Sequence, residues 1–262
     1  MRRLTVTGWC AALAGLLLAV LLPASIQAQE TFPPRLFLPL VTTSTRCPAS
    51  TGESYAAITV EPPPTGRPAA QHADLNLALR GYAATGGVLG LVDYGGPADP
   101  LAPQLYGLFS DQRTGTFTHL HRVHDWNWAC NCRGGPLAYP PATLAEVATA
   151  PGESIHVPDS GYTIGSGYEV LVLYAAPERI TLKYTRNDNV VHGFTLHLEG
   201  VCVDPDLLAW YQATDAAGRD RLPALRPGPA FARAVGTAMG VAIRDSGTFM
   251  DPRSRKDWWR GR

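Results

Sequence analysis

The sequence predicts a mostly β protein with one short helix, in which an N-terminal sandwich-like half packs on a C-terminal β-barrel-like half. Three observations predict it. Short segments alternate apolar and polar residues with the two-residue period of a half-buried strand: Leu75, Leu77 and Leu79 alternate with Asp74, Asn76, Ala78 and Arg80. Clusters of Gly, Pro, Asn and Asp separate these segments and supply turn conformations. One stretch, residues 206–217, carries the length and end signals of a helix. A hydrophobic content of 45% is ample for a core.

The elements follow in order. Residues 1–28 read as a signal peptide: Arg2 and Arg3 form a basic head, an apolar run extends from Gly8 to Leu22, Pro23 and Ser25 break it, and Ala28 offers a cleavage point. Once this leader is removed, no integral membrane segment is expected, and the protein is secreted or held at the cell surface. Residues 29–46 contain Pro33, Pro34 and Pro39 and then a Thr/Ser stretch, which predicts an extended arm. The N-terminal half, residues 47–143, is expected to hold strands at 54–60, 75–79, 88–94 and 116–128. Pro62, Pro63 and Pro64 end the first of these, Gly95, Gly96 and Pro97 close the third, and residues 130–141 read as irregular. The C-terminal half, residues 144–262, is expected to hold strands at 154–157, 162–164, 169–175, 179–185 and 193–198. Turns fit at residues 158–161 and 187–189. In the helix, Asp204 or Asp206 caps the start, Leu207, Leu208 and Tyr211 face the core, and Gly218 ends it. A short strand at 240–244 precedes a polar tail, where Trp258 and Trp259 are placed to clamp the C-terminus, stacking with arginine.

Charge excludes one class of partner. Lys and Arg number 22 against 22 Asp and Glu, and the leader takes two cations with it, so the mature chain is near neutral and offers no basic patch for nucleic acid. Lys183 and Lys256 are the only lysines, which reads as a compositional bias. Of five cysteines, Cys10 lies in the leader. Cys47, Cys130, Cys132 and Cys202 remain, an even number that favours two disulfides in an exported chain. Joining Cys130 directly to Cys132 would close a strained ring, so each is expected to reach outward, one to Cys47 and one to Cys202.

The densest cluster of chemistry-bearing residues is Thr118-His119-Leu120-His121-Arg122-Val123-His124-Asp125. His119 and His121, two apart on a strand, point the same way, and imidazole is a common zinc ligand. The cluster resembles the His-x-His-x-Asp-His loop of metallo-β-lactamase-like hydrolases. It is longer by one residue, and its Asp and His stand in reverse order. The helices of that α/β fold are not expected here.

A second resemblance covers more of the chain, about residues 147–259. Val157-Pro158-Asp159-Ser160-Gly161-Tyr162, Thr195-Leu196-His197-Leu198, Arg226-Pro227-Gly228, Val241-Ala242-Ile243 and Asp251-Pro252-Arg253 occur in an order similar to that of the lysostaphin-type zinc metallopeptidases, which cut peptidoglycan cross-links. The resemblance implies a β-barrel-like domain in which an early His and Asp and a late His-x-His hold one zinc. It also places His197 near substrate, as the candidate catalytic residue. At the late His-x-His this sequence has Val241-Ala242-Ile243, and for the early pair it has only His124. A zinc site is therefore expected to be degenerate.

The groove can outlast the metal, because aromatic rings offer contact area with a polar edge. Trp126, Trp128, Tyr184 and Tyr211 are the candidate ligand-binding residues. No Gly-x-Ser-x-Gly elbow, phosphate loop or dinucleotide fingerprint occurs. The sequence thus points to a non-catalytic envelope protein that needs no cofactor and binds peptidoglycan or another surface glycan. The alternative is a zinc hydrolase using His119, His121 and His124, completed by His192 or His197.

Overall fold

The computed structural model describes Cys47, residues 50–61 and residues 67–262, so the expected signal peptide, the arm and Pro62 to Pro64 lie outside the described residues. All-antiparallel pairing dominates. Strands β1 (Ala56–Thr59), β2 (Tyr82–Thr85), β3 (Phe117–Asn127), β4 (Cys132–Pro136) and β5 (Leu144–Ala148) come before β6 (Ser154–His156). Then follow β7 (Val170–Ala176), β8 (Arg179–Lys183), β9 (Phe194–Glu199), β10 (Val201–Val203), β11 (Arg221–Leu225), β12 (Ala230–Ala234), β13 (Ala238–Asp245) and β14 (Thr248–Met250). The larger sheet runs β1-β11-β7-β8-β9-β13-β5-β3-β2, with β14 on β13 and β4 on β3, and a smaller sheet runs β10-β12-β6. Neither sheet closes into a barrel: β1 and β2 are free edges of the larger one.

β5 starts at the expected boundary between the halves, yet it pairs with β3 before it and β13 after it, so one sheet runs across that division. All described residues fall in one compact unit. In the centre of the sheet, Ile180, Leu182, Leu196, Leu198, Val241 and Ile243 point into the main core, which they share with Ile155, Val203 and Phe231 of the smaller sheet. Apart from Ala242, the residues alternating with them are polar. Thr181, Lys183, Thr195, His197 and Arg244 are nonetheless buried, because residues 73–80 and Phe249 cover that face.

That covering segment is where the alternation at Leu75, Leu77 and Leu79 departs from expectation. It forms a 3-10 turn (Leu77–Leu79) rather than a strand, held by Leu79 N–H to Asn76 O and Arg80 N–H to Leu77 O. Leu75 and Leu77 enter two different apolar clusters. The intervening polar residues are consumed inside: Asp74 bridges Arg80 and Arg244 at 2.7 and 2.8 Å. Residues 88–94 are likewise not a strand. They carry one bridge, Val92 to Ser254, and expose Val88 and Leu89. Residues 162–164 make no strand, whereas the irregular 130–141 contains β4, and β11 and β12 flank Arg226-Pro227-Gly228.

Helix α1 (Pro205–Ala216) forms as its signals predict. Asp204 accepts from the N–H groups of Asp206 and Leu207, Leu207 and Tyr211 are buried, and Gly218 follows at φ +107°. Trp258 and Trp259 are fully buried around the short helix α2 (Arg255–Trp258). Their indole N–H groups donate to Asp251 O and Pro252 O. Their ring partners are Phe194 and Phe117, edge to face, rather than an arginine.

The disulfide pairing differs from expectation. Cys47 joins Cys202, and Cys130 joins Cys132. The short ring closes because Asn131 takes φ +51°, the left-handed region Asn tolerates, bringing the two Cα atoms to 5.3 Å, within the ordinary disulfide range. In the chain-entropy account, closing the 155-residue separation of Cys47 and Cys202 stabilises by about 5 kcal/mol, and closing the separation of two by only about 1.5 kcal/mol.

Candidate functional site

The histidine cluster divides. His119 Nδ1 and His121 Nε2 each lie 3.0 Å from a different oxygen of the Glu146 carboxylate, because β5 places Glu146 directly opposite His119. Strand alternation puts His124 on the other face, where its Nδ1 donates to Gly134 O at 2.9 Å. The three imidazoles are therefore not brought together. Glu146 is the partner sequence reasoning missed, and only the β3–β5 register could have revealed it.

His197 is completely buried. Thr181 Oγ1 donates to Leu75 O at 2.7 Å and so accepts from His197 Nδ1 at 3.0 Å. His197 Nε2 has no partner. Burial, reinforced by Arg244, holds this imidazole well below its usual pKa, so it stays neutral. Sealed from solvent, it does not serve as a substrate-facing catalytic group. His192 lies on the exposed loop between β8 and β9, and its carbonyl accepts from Lys183.

These residues do not fit a zinc site of the lysostaphin kind. Val241, Ala242 and Ile243 are fully buried aliphatic groups in β13, and among the described residues no group of three or more His, Cys, Asp or Glu is arranged to hold a metal ion.

The four candidate aromatics also divide. Tyr184 and Tyr211 are core residues whose hydroxyls donate to Pro158 O at 2.8 Å and Leu173 O at 3.3 Å, so neither offers a ligand surface. Trp126 and Trp128 sit together at the outer end of the β3–β4 hairpin, edge to face with centroids 6.4 Å apart. Trp128 is 44% exposed. The His72 ring meets it at 5.1 Å, and the Arg67 guanidinium lies 5.3 Å from its centroid. Arg67 also donates to Asn131 Oδ1 in the turn, and the Trp126 Nε1–H has no acceptor.

The hairpin is fastened near its turn. Beyond the turn, the Cys130–Cys132 bond fixes the entry to β4. Opposite Trp126, one residue into β4, the Arg133 guanidinium donates to Leu79 O at 3.0 and 3.3 Å, lying over Gly81. Gly81 has φ +65°, and a Cβ there would come within 2.7 Å of that guanidinium, so only glycine admits this closure. The result is an aromatic tip with cationic and amide groups at its rim, carried on a braced two-stranded ribbon. No family model, curated protein or solved structure matches the chain.

Proposed function

We propose that this chain is a non-catalytic, secreted or surface-associated envelope protein that binds a glycan, peptidoglycan being the first candidate, through the β3–β4 hairpin. The observation that carries the reading is the half-open Trp128 ring set against Trp126, with Arg67 and Asn131 beside it. A sugar ring presents a flat C–H face and a rim of hydroxyls. An indole covers the face, and charged and amide side chains take the rim.

The basic head and apolar run at the start of the chain, together with two disulfides, support an oxidising, extracytoplasmic destination. No helix among the described residues is long and apolar enough to cross a membrane. The C-terminal half is read as a lysostaphin-type scaffold whose metal ligands have been replaced, consistent with aliphatic Val241, Ala242 and Ile243. The zinc-hydrolase reading has less support, since His119 and His121 are engaged with Glu146 and His124 faces away.

Sedimentation with purified cell walls at low salt tests this proposal. The wild-type protein is expected to be retained, and Trp128→Ala is expected to lose about tenfold in affinity with an unchanged thermal midpoint. No retention of wild type, or equal retention of the variant, would sink it.

A further inference from the structure

The two disulfides differ in exposure and in the length of chain they close. Cys202 is buried, and its bond to Cys47 ties distant parts of the chain together. Cys130 and Cys132 are both exposed, and their bond, closing a separation of two, constrains the unfolded chain far less than Cys47–Cys202 does. One cationic group lies beside it: Arg67 donates to Asn131 between the two cysteines, while the Arg133 guanidinium is held on Leu79 O. Positive charge favours the thiolate over the thiol, which makes a cysteine a better leaving group in exchange. Trp126 and Trp128 lie immediately before this bond and offer apolar contact to an incoming peptide.

We propose that Cys130–Cys132 is a thiol–disulfide exchange site that oxidises closely spaced dithiols in extended polypeptide. A substrate thiolate attacks one sulfur, the Cys130–Cys132 bond breaks, and the other cysteine leaves as thiolate while a mixed disulfide forms. The second substrate thiol gives its proton to solvent and attacks the mixed disulfide. The substrate dithiol loses two electrons and becomes a disulfide, and Cys130 and Cys132 gain them and end as two thiols. This activity does not depend on glycan binding.

The experiment mixes full-length, fully oxidised protein with a synthetic peptide carrying two reduced cysteines, then alkylates free thiols and maps them by mass spectrometry. The expected result is one oxidised peptide per protein molecule, alkylation at Cys130 and Cys132, and an intact Cys47–Cys202 bond. Opening of the tip bond is expected to be at least about a hundredfold faster than opening of Cys47–Cys202. In the double variant Cys130→Ser/Cys132→Ser the peptide is expected to stay reduced while the thermal midpoint falls by only about 3 to 6 °C. A tip bond that opens no faster than Cys47–Cys202, or peptide oxidation that persists in the double variant, overturns the proposal.

Discussion

Lys183 carries a burial cost on the covered polar face. It is fully buried with no carboxylate in ion-pair contact among the described residues, and its ammonium donates to His192 O, to Gly193 O at 3.2 Å and to Thr195 Oγ1 at 3.2 Å. Burial, with Arg244 adding to it, pulls its pKa down to about 7. The unfolded chain holds that proton up to about pH 10.4, so between these values the unfolded state binds more protons and stability rises with pH. Unfolding free energy, measured by denaturant titration, is expected to rise by roughly 2 kcal/mol between pH 7 and 9, with Lys183→Met flattening the rise. An equal rise in the variant would refute this assignment. The scarcity of lysine was visible in the sequence, but the burial of this one was not, because strand alternation gives a polar residue to the solvent face by default. The same default hid the burial of His197 and Tyr184, whereas Tyr211 stood on the expected core face of its helix. Of the four aromatics, Trp128 is exposed and Trp126 half-buried at the hairpin turn.

At the scale of elements, α1 shows how much one cap can do. Asp204 accepts from the N–H groups of Asp206 and Leu207 at the helix start, and also from Thr51 N–H at 2.6 Å and from the Thr51 hydroxyl, so it fastens the first described segment to the helix. Asp204→Ala is expected to cost about 1 to 2 kcal/mol, read as a lower denaturation midpoint at unchanged slope. A loss below a few tenths would mean the cap carries no weight. The helix was legible almost to the residue, since capping chemistry is local. Residues 75–79 were not, because a leucine alternation looks the same whether one sheet face or two separate clusters receive it. The Cys130–Cys132 ring escaped for a different reason: the left-handed conformation of Asn131 that closes it leaves no trace in spacing.

Across the whole molecule, the β class and the turn-rich layout were readable, while the order of strands was not. Long-range pairing such as β5 between β3 and β13 depends on register that no local pattern encodes. The Cys47–Cys202 bond fastens the first described residue to β10, beside the start of α1. Cys47→Ser/Cys202→Ser is expected to cost about 2 to 5 kcal/mol, seen calorimetrically as a fall of roughly 5 to 15 °C in thermal midpoint. An unchanged midpoint would show the bond to be idle. The central claim is that the molecule holds a glycan at its aromatic hairpin without metal chemistry. Equilibrium titration of chelator-washed protein with solubilised peptidoglycan, with released fragments followed in the same samples, tests it most directly. The account predicts saturable binding that zinc does not alter and no fragment release. Binding or cleavage that appears only when zinc is restored would contradict it.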